Sequence, residues 1–260
     1  MSPAGADPLA DNPVFARADP ELRARLVAAS ERLLCTPGQR ILSEGDAADR
    51  VFALARGAVR VFHVAPGGAQ LLLKVFRAPA LFGEAEAFCQ IRFLEHVEAL
   101  EPCELWVLPT AALLALLRDD PASALALSLD LAARLTLAIQ NAKSVAFGAA
   151  TTRLANYLVE YVAWTNEPGA HEPRIALTQN EMAAAVGITT RAVGLDVALW
   201  RREGILSRRG RSYVVHDLAG LRRYADPQHL GLTYSLGDRV RRIAERLEST
   251  PARPTRRRDR

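Results

Sequence analysis

The sequence predicts an α+β chain: an N-terminal antiparallel β jelly roll or barrel, one long helix, and a C-terminal winged helix-turn-helix. Three observations predict it. Short apolar runs separated by glycine turns fill roughly the first 110 residues, the pattern of a small all-β barrel. Residues 121–146 then carry one unbroken helical pattern with a single apolar seam. Residues 177–215 read as two short helices around a glycine turn, followed by a basic hairpin.

Of the 260 residues, 50% are hydrophobic and 24% charged, which is the balance of a folded globular chain. Ser123, Ser128, Asp130 and Arg134 interrupt the most apolar stretch before it reaches the roughly 18 residues of a membrane span, so no membrane partner is expected. No basic start followed by an apolar run suggests a signal peptide. Cys35, Cys89 and Cys103 are isolated and odd in number, which argues against a disulfide framework or zinc site and fits a reducing cytoplasm. The net charge of +4 is unevenly spread: residues 1–146 hold 14 basic and 17 acidic side chains, residues 147–260 hold 19 and 12. The basic half contains the helix-turn-helix, as contact with nucleic acid requires. No carboxylate pair, nucleophile–base set, phosphate loop or metal cluster stands at a telling spacing, so neither an enzyme nor a cofactor is expected; Gly67-Gly68 reads as a hairpin tip.

In chain order, a first helix is expected from Pro20 to Leu33, and a turn at Pro37-Gly38. Strands follow at 40–42, 50–55, 58–64, 70–76 and 103–108, broken at Glu44-Gly45-Asp46, Arg56-Gly57 and Pro66-Gly67-Gly68. Pro109-Thr110 starts a short helix to Arg118, and Pro121 opens the long one to about Ala146. On it Leu127, Leu131, Leu135, Ala138 and Ala142 repeat three or four apart. About 26 helical residues span roughly 39 Å, more than a small barrel covers. A two-stranded coiled coil between identical subunits is therefore expected, with packing inside one chain as the alternative. Phe147-Gly148 marks a hinge, and a further helix runs from Thr151 to Trp164; a loop carrying Pro168-Gly169 and Pro173 follows. Residues 218–224 and 236–247 read as helices, and the arginines from Arg253 to Arg260 lie among prolines in a disordered tail. The expected division is 1–120 for an effector barrel, 121–146 for the dimer helix, 147–225 for a DNA-binding domain and 226–260 for a helical extension and basic tail.

Within the helix-turn-helix, Thr178 caps the first helix and Glu181 completes a capping box. Met182, Ala185 and Val186 form its inner stripe, and Gly187 supplies the left-handed residue that ends it. Thr189 caps a second helix whose inner positions are Val193, Val197 and Trp200. The second helix of such a unit lies in the major groove of double-stranded DNA. Residues 205–207 and 212–215 then flank Arg208-Arg209-Gly210-Arg211 as a wing. Thr178, Gln179, Thr189, Thr190 and Arg191 are the candidate DNA-facing residues, with Arg202, Arg208, Arg209 and Arg211 on the phosphate backbone.

Over roughly residues 12–224 the chain resembles the CRP/FNR family of bacterial transcription regulators. The resemblance is carried by Glu44-Gly45-Asp46 with the run from Val51 to Val59, by Leu81-Phe82-Gly83-Glu84, by Ala146-Phe147 with Thr151-x-Arg153-Leu154-Ala155, and by the helix-turn-helix with its wing. It implies a cyclic-nucleotide-binding-like barrel, a homodimer, an effector held between barrel and dimer helix, a palindromic operator with half-sites about 34–36 Å apart, and RNA polymerase as a partner.

The same resemblance marks departures. Gly83 and Glu84 stand where the nucleotide cassette begins, with Glu84 at the ribose-hydroxyl position and Arg134 placed to pair with it. The two positions that hold the cyclic phosphate, however, fall on Phe93 and Leu94; Arg92 lies beside them as a substitute. The adenine-contacting hydroxyls fall on Ala138 and Ile139, next to Leu135. The effector is thus unassigned and is not expected to be cyclic AMP; the pocket is either vestigial or fitted to a more apolar ligand. The alternatives are a cyclic-nucleotide-responsive regulator, a haem-responsive one using His63, His96 or Cys103, and a regulatory module acting on a protein partner; lone Cys35 does not make an iron–sulfur site. Thr190, Arg191 and Leu195 replace the family's usual reading residues, so a different operator is expected.

Overall fold

In the computed structural model the described residues are 7–64, 68, 70–166, 170–227 and 230. The chain opens with α1 (Pro20–Ala28), which Asp19 caps by accepting from the Glu21 and Leu22 amides. The helix expected to reach Leu33 stops at Ala28, and Glu31–Cys35 is instead strand β1. Its residues pair from Glu31 with Val107 to Cys35 with Cys103, and a neighbouring strand outweighs helix propensity in so short a segment.

Seven further strands follow: β2 (Arg40–Leu42), β3 (Arg50–Arg56), β4 (Ala58–Val64), β5 (Gln70–Arg77), β6 (Ala80–Phe82), β7 (His96–Ala99) and β8 (Cys103–Pro109). The short helix α2 (Glu84–Cys89) lies between β6 and β7. Two antiparallel four-stranded sheets result, in the orders β1-β8-β3-β6 and β2-β7-β4-β5. Phe52, Leu54, Val59, Phe82, Phe93, Val97 and Leu105 fill the space between them. Phe52 and Phe82 stack with centroids 5.2 Å apart. The other face of the first sheet presents Val51, Ala53, Leu81 and Leu108 to Phe15, Leu26, Leu113 and Leu116.

Helix α3 (Thr110–Asp119) leads to α4 (Pro121–Phe147), whose start is set by Pro121 and by Asp120 accepting from the Ser123 amide. The seam expected to serve wholly as a dimer face divides in two. Leu127 is buried, and Leu131 half-buried, against Leu113 and Leu116 of the same chain. Beyond Arg134 the helix leaves the barrel, so Leu135 is 62% exposed, Ile139 is 47% exposed, and Ala138, Ala142 and Phe147 face outward. The interruptions noted in the sequence do not break the helix: Pro121–Ser144 is long enough and, at mean hydropathy 1.5, apolar enough to cross a membrane. Within it Asp130 pairs with Arg134 one turn on. Helix α4 ends at Gly148, where a Cβ would lie 2.5 Å from the Ser144 carbonyl oxygen; only glycine allows that approach.

The C-terminal half comprises α5 (Ala150–Thr165), β9 (Arg174–Ile175), α6 (Gln179–Val186), α7 (Thr190–Arg202), β10 (Leu206–Arg209), β11 (Ser212–Val215) and α8 (Leu218–Arg222). Trp200 is fully buried at its centre, with Leu154, Leu158, Met182, Val193, Val197 and Ile205 around it. This half leans on β5: the Tyr157 hydroxyl donates to the Leu72 carbonyl at 3.5 Å, and Arg77 donates to the Trp164 carbonyl at 2.8 Å. The predicted turn residues Pro66-Gly67 and Pro168-Gly169, the helix over 236–247 and the arginine-rich tail lie outside the described residues.

Candidate nucleic-acid interface and effector cavity

The helix-turn-helix is set by local chemistry. The Glu181 amide donates to Thr178 Oγ1 at 3.2 Å, and the Thr178 amide donates to Glu181 Oε2 at 2.6 Å, closing the capping box. Gly187 takes φ +67°, ending α6, and Thr189 Oγ1 accepts from the Ala192 amide to start α7. The two helices meet at 112°, within the range of DNA-reading pairs. Val193, Val197 and Trp200 anchor the inner face of α7, which leaves Thr190, Arg191, Leu195, Ala198, Arg201 and Arg202 exposed.

Four of the five polar residues assigned to base and phosphate contact also hold the motif together. Thr178 and Thr189 are the caps. Thr190 Oγ1 donates to Asn180 Oδ1 at 2.9 Å, tying α7 to α6. Gln179 Nε2 donates to the Tyr213 hydroxyl at 3.3 Å, tying α6 to the wing. Arg191 projects from the outer face of α7.

The wing is tighter than the sequence suggests. Strands β10 and β11 are joined by Gly210-Arg211 alone, with Gly210 at φ +63°, the first-position glycine of a type II′ hairpin. Arg208 and Arg209, expected at the tip, therefore lie on β10, because cross-strand pairing with Tyr213 and Ser212 continues through them. Arg209 pairs with Glu172 at 2.8 Å, and Arg208 Nε donates to the Gly210 carbonyl at 3.2 Å. Arg202, Arg208, Arg209 and Arg211 are all exposed. An exposed ion pair such as Arg209–Glu172 is worth about 1 kcal/mol at most, so a phosphate competes with it easily.

A cavity of about 270 Å³ opens where the second sheet meets α2 and α4. Gly83 at φ +84° turns the chain so that Glu84, only 2% exposed, starts α2 facing it. Arg134 donates to Glu84 Oε1 at 2.6 Å and to the Leu81 carbonyl at 2.8 Å. Burial pushes the Glu84 carboxyl up, and Arg134 draws it partly back. Glu84 Oε2 is buried and has no hydrogen-bond partner among the described residues. Lys74 lies 4.1 Å from the Phe76 ring centroid and is pulled down to about 8 by burial and then by Arg134. Glu95 is pushed up to about 7 by burial and by its neighbours Glu86 and Glu44.

Of the predicted pocket residues, Gly83, Glu84, Phe93 and Arg134 line this cavity. Arg92 does not: it turns away to donate to the Gly45 carbonyl at 2.7 Å. Leu94 is exposed outside the cavity, because Phe93 on its neighbouring position points inward against Phe52. Leu135, Ala138 and Ile139 sit on the part of α4 that has left the barrel. Sequence reasoning missed Lys74, Phe76, Glu86 and Glu95. Lys74 was signalled as the one charge in the apolar run from Leu71 to Phe76. The haem candidates are otherwise engaged: His63 Nδ1 lies 3.3 Å from Glu44 Oε2, His96 Nδ1 accepts from the Glu44 amide, and the Cys103 thiol donates to the Ala58 carbonyl. No group of three metal-ligating side chains converges among the described residues.

The Glu95 carboxyl links the cavity to pH. Raised in the folded chain, it supports stability fully below the ordinary carboxylate value, and that support is lost as pH rises through about 7. Glu95→Gln is therefore expected to raise stability at pH 8 by about 1 kcal/mol, after solvent screening, and to change little at pH 4. Urea denaturation at the two pH values checks this; an equal gain at both would show that titration is not the cause.

Residues 33–120 match the family described as cyclic nucleotide-binding domain, and residues 152–224 match the Crp-like helix-turn-helix domain. The transcriptional regulator SdrP of Thermus thermophilus is 30% identical over 188 residues, covering 70% of this chain and 87% of that protein. A CRP-like cAMP-activated global transcriptional regulator of Mycobacterium tuberculosis is 26% identical, covering 82% and 96%. A crystal structure of a CRP/FNR-family transcriptional regulator from Thermus thermophilus superposes with a TM-score of 0.58 at 26% identity, covering 75% of this chain and 97% of the other.

Proposed function

Because the chain belongs to the CRP/FNR family of transcription regulators, we propose that it works as a homodimer that binds a palindromic operator without cyclic AMP. The observation that carries the second part is Phe93. A cyclic phosphate needs a guanidinium or comparable anion partner, and Phe93 fills that position with an apolar ring packed on Phe52. Glu84, Glu86 and Glu95 further set three carboxyl groups around the cavity against Lys74 and Arg134. An effector matched to this lining is apolar or a hydrogen-bond donor.

The exposed outer stretch of α4 supports the dimer. Leu135 and Ile139 with small Ala138 and Ala142 make an apolar stripe that a second copy of the helix covers by close approach. Pairing about a two-fold axis presents two α7 helices to successive major grooves. Such a protein acts where chromosomal DNA is, in the cytoplasm, with RNA polymerase as its partner at promoters.

Selection of bound duplexes from random DNA at about 0.1 M salt, with and without cyclic AMP, tests the proposal. A palindrome recovered without nucleotide is the expected result. A palindrome appearing only with cyclic AMP would make Glu84 Oε2 a ribose contact and overturn the reading of Phe93. No enrichment under either condition would favour a module that acts on a protein partner. On the selected operator, Arg191→Ala is expected to cost about 1–3 kcal/mol and to relax choice at one guanine. Equal losses on operator and random DNA would make Arg191 a phosphate contact instead.

A further inference from the structure

The outer face of α7 holds one residue that neither packing nor hydrogen bonding explains. Leu195 is 64% exposed, on a helix whose inner face buries Val193, Val197 and Trp200. It stands one turn after Arg191, and Ala198 and Arg202 continue the same outer face. Its neighbour Asp196 accepts from Thr151 Oγ1 at 2.9 Å, which fixes the roll of α7 and keeps Leu195 outward. The helix also carries the exposed Arg191, Arg201 and Arg202, and the wing the exposed Arg208 and Arg211. A large apolar side chain so placed is left open in the free protein, on a helix that also carries groups that seek phosphates.

We infer that Leu195 is a specificity-determining residue that reads the C5-methyl group of a thymine in the major groove. The inference rests on α7 being the recognition helix of the proposed regulator. In the major groove the thymine methyl is the one apolar mark on a base edge, and apolar contact is what covers it. Thr189 and Thr190 offer only a single methyl each, a smaller apolar surface than the leucine side chain, and their hydroxyls are held by the cap and by Asn180. Four residues of helix advance about 6 Å, and base pairs rise about 3.4 Å, so the thymine lies within about two base pairs of the guanine read by Arg191.

The test replaces single thymines of the selected operator with deoxyuridine, which removes the methyl and nothing else. The wild-type protein is expected to lose about fourfold in affinity per half-site at one thymine, the worth of one buried methyl group. Leu195→Ala should bind the thymine and deoxyuridine operators equally, and Leu195→Met should restore the difference. Because Leu195 is exposed, both variants should keep the wild-type Tm. If the wild type is indifferent to deoxyuridine at every position, or if Leu195→Ala keeps the full penalty, the inference fails while operator binding stands. Failure to select any operator would instead remove the regulator reading and this inference together.

Discussion

Arg134→Ala is expected to destabilise the barrel half by about 3 kcal/mol at pH 7 and by little near pH 4.5. Glu84 is 2% exposed, and Arg134 pairs with it at 2.6 Å. Removing the guanidinium leaves either a bare carboxylate in a buried site or a carboxyl that must stay protonated. The second course is the cheaper. The cost then grows as pH rises above the ordinary carboxylate range, because the unfolded chain ionises freely while the folded one holds its proton. About 3 kcal/mol is the low end of the loss that follows when one member of a buried pair is removed. A carboxyl raised in the folded state supports stability at low pH and withdraws it as pH rises. Thermal or urea unfolding at both pH values checks this, and Glu84→Gln added to Arg134→Ala should abolish the pH dependence. A loss that is the same at both pH values would mean that Arg134 acts through packing on Phe76 and its bond to the Leu81 carbonyl.

What could be read from the sequence divides along the range of the interactions involved. The helix-turn-helix was legible because its determinants are local: the Thr178–Glu181 box, the left-handed Gly187 and the three-four spacing of Val193, Val197 and Trp200 all lie within a few residues. The longer barrel strands were legible for the same reason. Strand β1 was not, since its residues continue a helical-looking stretch and only pairing with β8 decides the matter. The cavity was half legible. Glu84 and Arg134 were singled out, but Lys74, Glu86 and Glu95 meet them only because β5, α2 and the segment before β7 converge in space. The wing arginines show the same limit: a basic run looks like a tip until strand register assigns two of its arginines to β10. The seam of α4 shows it most clearly. Leu127 and Leu135 carry the same periodic signal, yet one is buried in its own chain and the other is open, since periodicity specifies a face and not what covers it.

That open face carries the largest expected effect. Leu135→Asp combined with Ile139→Asp should convert the protein to a folded monomer and weaken operator binding by about a hundredfold or more. Both side chains are exposed within one chain, at 62% and 47%, so their loss takes nothing from the fold beyond a small helix-propensity cost. In a two-fold pair of α4 helices each is met by its own counterpart. Four apolar side chains worth about 1.5–3 kcal/mol each would be replaced by four like charges, more than a dimer held along one helix pair withstands. A monomer presents one α7, loses the second half-site, and retains only the contacts of a single recognition helix and wing. Sedimentation velocity reads the first effect and operator titration the second. Leu127→Ala provides the contrast: it should lower Tm by opening the packing under α3 and leave self-association unchanged, because Leu127 faces Leu113 and Leu116. If the double aspartate variant still sediments at twice the chain mass, the outer stretch of α4 is not the dimer interface. If it is monomeric yet binds the operator as tightly as before, one recognition helix suffices and the palindrome plays no part in affinity.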